Sequence, residues 1–503
     1  MRPRATVVAA LLAATVVSTW VTAWTALPAL AAEIAPGQPA ATTPGTGEPT
    51  PEAPVTVLLD DLPVAFPIPP FLDGDTTMVP LRALSEALGF RIVWKGEAGP
   101  IGCVKGDVDI AVRLGEREVT VSGRPAPMPR PAYLKGDTTV VPLRFFSETL
   151  GFDVLWDSDT NTANVRSTKS PLEVWSFYAL GSQTHSSWED LFGQKYPFPL
   201  TPVPSAPASK MTGAILGWFA VSSEGLIMAQ GHPSGYEKPE GWEAVLMKLS
   251  LFGSKKVAMF FAENQGGKLS SLLADQGGRE RLAVNVSLAS VGFDGVALDF
   301  EGLGIDPVTC EKDAASFSAF VESVKRYCQN RLILTVLPPL NGTSRGYDHK
   351  RLGEVSDAVI LMAYGYEDPM SPSPTAPWDK VDEAIRLETK EVPNDKLILG
   401  VPAYGTVYSQ FQEVACLEAR PAARDLVGPA DSKPVFNPAS ASEVIAWREQ
   451  EESYKAYLES NKTLQARISL AKRYGLRGVA IWRLGLLQQG WWDAVVQVVE
   501  PKR

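Results

Sequence analysis

Asp299 and Glu301 stand two positions apart at the end of an apolar run, in the stretch GFDGVALDFEGLG from Gly292 to Gly304. In an extended strand side chains alternate between faces, so Ala297, Asp299 and Glu301 share one face and Val296, Leu298 and Phe300 the other. The two acidic Cα atoms then lie about 6.5–7 Å apart. At that separation one ionised carboxylate raises the proton affinity of the other and leaves a protonated acid near neutral pH, as general-acid catalysis requires. The bland alternative is a pair that caps a following helix or faces solvent. The apolar opposite face, the flanking glycines and the long amphipathic segment downstream favour a buried strand ending in a functional loop, because unpaired buried acids are costly.

Such a strand needs a scaffold. From Pro171 onward short apolar strands alternate with helical segments, the pattern of βα units and a parallel sheet. Eight strands are expected, near Val174–Ala179, Ala214–Val221, Lys256–Phe261, Gly295–Phe300, Leu332–Leu337, Ala358–Ala363, Leu397–Val401 and Gly478–Trp482. Helical stretches run between them, among them Trp242–Leu251, Arg279–Ser290, Glu311–Gln329, Trp378–Lys390 and Thr463–Tyr474. The fold class is therefore α/β, a (β/α)8 TIM barrel over residues 168–503, whose active site belongs at the C-terminal ends of the strands. Between Tyr404 and Leu464 a long insertion follows strand 7; it is expected to contain a charged helical stretch at Arg448–Tyr457 and to wall one side of the cleft.

Ahead of the barrel the sequence repeats itself. Residues 73–90 (DGDTTMVPLRALSEALGF) match residues 135–152 (KGDTTVVPLRFFSETLGF). Each copy reads as a turn, an extended Val-Pro-Leu-Arg segment, a short helix ending at Gly89 or Gly151, and a strand carrying Trp94 or Trp156. Further strands are expected at Val108–Val112 and Glu118–Val121, giving a small N-terminal α+β domain over residues 55–167. Residues 1–32 read as a signal peptide, with Arg2 and Arg4, an apolar run to about Leu27 and small residues Ala29 to Ala32. The alternative is an uncleaved membrane anchor, since ~20 apolar residues span a bilayer; either way the remainder is expected outside the cytoplasm. Residues 33–54 are rich in Pro, Thr, Ala, Gly and Glu and read as a solvated linker.

Composition excludes several classes. Of 503 residues 45% are hydrophobic and 21% charged, which is globular material, and a formal charge of −10 leaves no basic footprint for nucleic acid. Four cysteines without a paired C-x-x-C spacing and three histidines make no convincing metal site, so neither metal nor cofactor is expected. Cys310 and Cys328 bracket one helix, which would hold them roughly 27 Å apart and unbridged.

The stretch Phe293–Glu301 (FDGVALDFE) resembles the fourth-strand motif of family 18 glycoside hydrolases, the chitinase family. Met362-Ala-Tyr364 is similar to that family's sixth-strand motif, Lys396–Gly405 to its seventh and Gly478–Gly485 to its eighth. The Arg-Leu-Gly after Trp482 looks most like the bacterial spore-germination and cell-wall branch. The resemblance implies a secreted enzyme that cleaves β-1,4 N-acetylglucosaminyl linkages of peptidoglycan or chitin by substrate-assisted retaining catalysis. It implies Glu301 as acid and then base, Asp299 as its helper and holder of the substrate's acetamido N–H, and Tyr364 as donor to the acetamido oxygen. Trp482 would form the floor under the sugar. Apart from the resemblance, Trp378 and Tyr404 are read as further substrate-binding residues, and Trp188, Trp218, Tyr236 and Tyr408, near expected strand ends or loops, could also stack on sugar rings. The repeat domain resembles the copper amine oxidase N-terminal-like module, which implies a stalk or cell-wall attachment; without a histidine cluster it offers no copper site.

Two departures matter. Ala297 stands where the family commonly has Asp or Asn, and Gly365 where an Asp usually follows the tyrosine, with Tyr366, Glu367 and Asp368 just beyond. Losing such contacts costs roughly 1.5–3 kcal/mol per hydrogen bond to a charged group, so a slower or pH-shifted enzyme is expected. The alternatives are a catalytically silent barrel that binds amino sugars or anchors to the wall, and a structural wall protein that works through its repeat.

Overall fold

The computed structural model describes residues 54–502 apart from residues 61, 95, 97–98, 106–107, 168–169, 180–183, 197–200, 341–343, 369–370, 410–413, 419–432, 438 and 450–451. The expected export signal and nearly all of the linker lie outside the described residues. Val55–Arg503 forms one compact unit.

The two halves of the repeat meet each other. Strands Thr76–Pro80 and Thr138–Pro142 pair antiparallel with Val79 opposite Val141, Met78 opposite Pro142 and Pro80 opposite Val140. The equivalent residues Val79 and Val141 thus face one another on a local twofold, with the flanking pairs exchanged about it. Each strand runs into a seven-residue helix, Leu81–Ala87 or Leu143–Thr149, whose Leu81, Leu84, Leu143 and Phe146 are buried in a shared core. Gly89 and Gly151 follow at φ 76° and 84°, a left-handed turn that a Cβ would strain. The tryptophans that follow, Trp94 and Trp156, lie on edge strands and are 58% and 38% exposed.

The barrel consists of β1 (Ser170–Ala179), β2 (Gly213–Val221), β3 (Lys255–Glu263), β4 (Gly295–Glu301), β5 (Leu332–Leu337), β6 (Ala358–Leu361), β7 (Leu397–Pro402) and β8 (Gly478–Trp482). Each pairs in parallel with the next, and β8 returns to β1 with Val174 opposite Val479. Closure removes the sheet edges. Alternate residues fill two cores. Trp175, Ile215, Met259, Ala297, Leu334, Ile360, Ile398 and Ala480 point into the barrel, whereas Val174, Leu216, Phe260, Leu298, Leu337, Leu361, Leu399 and Ile481 meet the helices. The strands are continuous apolar runs because both faces are covered.

The insertion after β7 corrects one expectation. Arg448–Tyr457 is not helical: Ser442–Glu449 and Glu452–Leu458 are antiparallel strands of a five-stranded sheet with Tyr404–Ser409, Val414–Glu418 and Val435–Asn437. Its charges read as a solvated helix face, but the residues obey a period of two. Trp447 sits opposite Tyr454, and their rings stack at 5.1 Å with 10° between planes.

Candidate active site

The end of β4 builds the site as its alternation requires. Val296, Leu298 and Phe300 pack outward, where Phe300 stacks on Phe317 and Phe320 of the helix Cys310–Tyr327 at 5.6 and 5.1 Å. This aromatic stack clamps the strand from behind. Tyr347 adds a second clamp, its hydroxyl donating to the Phe300 carbonyl at 2.7 Å. Ala297 and Asp299 face the barrel axis, Asp299 being 3% exposed, and Glu301 opens to the mouth, partly exposed.

No cation partners this pair among the described residues. Burial, followed by the charge of Glu263, pushes the Glu301 carboxyl up to about 7. Burial, followed by the charge of Glu301, pushes Asp299 well above the usual carboxylate range. Both groups therefore favour the protonated form, and the pair holds at least one proton at neutral pH. The Ala297 departure bears on this: Asp299 Oδ1 is buried without a hydrogen-bond partner among the described residues, and Ala297 on the same face has no donor to offer.

Tyr364 joins the pair from the segment after β6. Its ring lies across Gly400 of β7, where an added Cβ would stand 2.9 Å from Cε1 and 2.7 Å from the Leu361 carbonyl oxygen, so that position tolerates no side chain. Burial, then the charges of Asp299 and Glu301, holds the Tyr364 hydroxyl far above its ordinary value, so it stays protonated and able to donate. Trp482 ends β8, its ring 5.1 Å from Phe177 and 6.2 Å from Tyr236 in edge and tilted contacts, on top of the barrel's interior core. Tyr404 begins the insertion sheet and hydrogen-bonds the Glu367 side chain.

Glu367 answers the question raised by Gly365. Gly365 adopts φ 81°, and a Cβ there would stand 3.9 Å from Glu367 Oε2, so the carboxylate occupies the space beside the missing side chain. Burial raises the Glu367 carboxyl, with Tyr404 and Thr375 pulling it back. Its Oε1 is buried and unpartnered among the described residues.

Trp378 is placed elsewhere. It opens the helix Trp378–Glu388, its ring lies under the Arg473 guanidinium at 5.3 Å, and it packs against a cluster of Leu62, Ala441 and Ala466. Trp188 and Trp218 are fully buried, and Tyr408 is 2% exposed with its hydroxyl donated to the Ser373 carbonyl at 2.7 Å.

Two more residues stand at the mouth: Tyr236, which the sequence reading names only as one of several further aromatics that could stack on sugar rings, and Glu263, which escapes it. Tyr236 stacks on Phe261 at 4.4 Å and feels Asp299, Glu301 and Tyr364, so it lines the same space. Glu263 ends β3 in register with Glu301. Its signal was present, an acid closing an apolar strand, but it becomes meaningful only once β3 and β4 are known to be neighbours.

Residues 188–486, more than half of the chain, match the model of glycosyl hydrolases family 18, and residues 58–165 match that of the copper amine oxidase N-terminal domain. The chain is 24% identical over 214 residues to the uncharacterized glycosylase YvbX of Bacillus subtilis, covering 40% of this chain and 60% of that protein. It is 25% identical over 240 residues to a cortical fragment-lytic enzyme of B. subtilis, covering 44% and 54%. Thus it spans about half to three-fifths of the length of these relatives. Among solved structures, the chitinase of Chromobacterium violaceum superposes with a TM-score of 0.53 at 18% identity, over 65% of this chain and 98% of that one. The spore cortex-lytic enzyme SleL of Bacillus megaterium gives 0.53 at 17%, over 67% and 76%. At these identities the superpositions establish the shared fold.

Proposed function

Because the chain belongs to family 18 of the glycosyl hydrolases, we propose that it cleaves β-1,4 bonds that follow N-acetylated amino sugars in peptidoglycan or chitin-like polymers. The observation that carries this reading is the unpaired, proton-retaining dyad of Asp299 and Glu301 at the end of β4, whose charges act on the buried Tyr364 hydroxyl.

In the first step Glu301 gives its proton to the glycosidic oxygen while the substrate's 2-acetamido carbonyl oxygen attacks C1. The C1–O bond breaks, the leaving sugar departs as an alcohol, and an oxazolinium ion remains. Asp299 accepts a hydrogen bond from the acetamido N–H and fixes the group for attack. Tyr364 donates to the acetamido oxygen, which helps to hold it in the attacking geometry. Glu301, now ionised, takes a proton from the water that opens the oxazolinium, which restores the starting state and retains configuration. An acid that titrates at about 7 suits both halves, since it is protonated below neutrality and basic enough to accept the proton back. Trp482 supplies an apolar platform for the sugar face, and Tyr404 with Glu367 forms a polar edge.

Cortical fragment-lytic enzymes and chitotriosidase-1 of mouse are among the relatives, which supports an amino-sugar polymer as substrate. The second reading, a silent barrel that binds such polymers, draws on the orphaned Asp299 oxygen over Ala297. We read residues 1–32 as an export signal, 33–54 as a linker, 55–167 as a stalk with a role in wall attachment, and 168–503 as the hydrolase. The exposed Trp94 and Trp156 support a contact surface on the stalk. No helix among the described residues is long and apolar enough to cross a membrane.

The test is mass spectrometry of products after the whole protein is incubated with chitooligomers and with purified peptidoglycan fragments. Release of shortened oligosaccharides by the wild type and none by Glu301→Gln is the expected outcome. Equal products from both proteins would sink the assignment, and oligosaccharide binding without turnover from pH 4 to 8 would select the silent barrel.

A further inference from the structure

Three carboxylates descend into the barrel mouth from two neighbouring strands. On β3 the inward residues are Val257, Met259, Phe261 and then Glu263; on β4 they are Gly295, Ala297, Asp299 and Glu301, paired with them in that order. The ends of the strands are locked at one height, because the Asn264 N–H donates to the Glu301 carbonyl at 3.0 Å and Asn264 Nδ2 donates to the Gly302 carbonyl at 3.0 Å. Neighbouring strands lie about 4.8 Å apart, so the Glu263 and Glu301 side chains leave the sheet side by side. Exposure rises outward along the series: Asp299 is buried, Glu301 partly exposed and Glu263 exposed. Gln265 Nε2 donates to Glu263 Oε2 at 2.8 Å and restrains its carboxylate.

We infer that Glu263 is a positioning residue whose negative charge keeps the proton on Glu301 available for the leaving oxygen, a role the sequence motif had left to Asp299. Glu263 thus presents its carboxylate at the solvent edge of the mouth, beside the half-buried Glu301. The charge of Glu263 is also the one that, after burial, raises Glu301. The other groups facing this space do not replace it. Tyr236, Tyr364 and Tyr347 are held protonated by burial. His232 is kept toward its neutral form by burial, and its Nδ1 accepts the Ser234 N–H at 3.2 Å. Arg483 is 4% exposed, donates to the Leu484 carbonyl and acts on Tyr236. Asp299 is the inner member of the pair.

This inference rests on the hydrolase reading, and its test separates the two. The pH profile of kcat/KM on a soluble chitooligomer is measured for wild type, Glu263→Gln and Glu263→Asp. Removing the charge is expected to move the alkaline limb down by roughly half a pH unit to one unit, with rates at pH 5 within about twofold. Glu263→Asp should keep the wild-type limb, and about 1 M salt should narrow the difference, since an exposed charge is screened. An unmoved limb, or a loss equal at every pH, overturns the inference. Carbon-13 NMR titration of the Glu301 carboxyl needs no turnover. An inactive wild type in which Glu263→Gln still lowers the Glu301 midpoint defeats the hydrolase reading and upholds the proton control; an unmoved midpoint defeats the control.

Discussion

Glu301 and Glu459 are both carboxyls that burial pushes up to about 7, and they differ in what surrounds them. Glu459 has a full set of partners. Arg467 Nη2 donates to its Oε1 at 2.8 Å and Thr463 Oγ1 to its Oε2 at 2.6 Å, while Arg467 also reaches the Ala376 and Ala441 carbonyls at 2.9 and 3.3 Å. Burial raises Glu459, and Arg467 and Thr463 only partly pull it back. Among the described residues Glu301 has neither cation nor donor of that kind, and the charge that acts on it is that of another acid, Glu263. A buried charge with a partner is a fastening, here between the insertion sheet and the helix Asn461–Arg473. A buried acid whose neighbours are acids holds its proton up to neutral pH, where a reacting group can take it. The same upward shift thus belongs to a structural site in one place and to the proposed catalytic site in the other.

The comparison breaks or sharpens by substitution. Glu301→Gln should lower hydrolysis by about 10²–10⁴-fold or more while far-UV circular dichroism and the thermal midpoint hold; loss of folding in this variant would mean that Glu301, too, is a fastening. Arg467→Met should do the reverse. It strands Glu459 without its cation and should cost about 3–5 kcal/mol in urea denaturation, with turnover per folded molecule retained. Tyr364→Phe should slow hydrolysis by about 10²-fold with little change in stability, as removal of one donor to developing charge does elsewhere; a stability loss instead would place the hydroxyl in the core.

A smaller effect concerns pH and stability. The folded-state pKa values of Asp299, Glu301 and Glu459 all lie above their unfolded values. Their contribution is therefore fully present below about pH 4 and is lost as pH rises through 7. The thermal midpoint should fall between pH 5 and 8, and Glu301→Gln should flatten that fall by about 1–3 °C. An identical slope in the variant would contradict the raised value.

Much of this protein follows from local rules. The alternation Ala297, Asp299, Glu301 against Val296, Leu298, Phe300 needs only a strand, and both faces pack as that alternation demands. Eight apolar runs spaced by helices need only their pattern to specify a barrel, and the matched copies of the repeat need only their similarity to specify a local twofold. Tertiary structure decided what lies across space. It set Glu263 beside Glu301 through the register of β3 on β4, took Trp378 to a seat beneath Arg473, turned the charged stretch Arg448–Tyr457 into strands through Trp447 and Tyr454, and left Asp299 Oδ1 buried without a partner among the described residues. The physical reason is the same throughout. A residue's face depends on its immediate neighbours in the chain, whereas the proton affinity of a carboxylate depends on which charges and how much water surround it, and those come from distant parts of the chain.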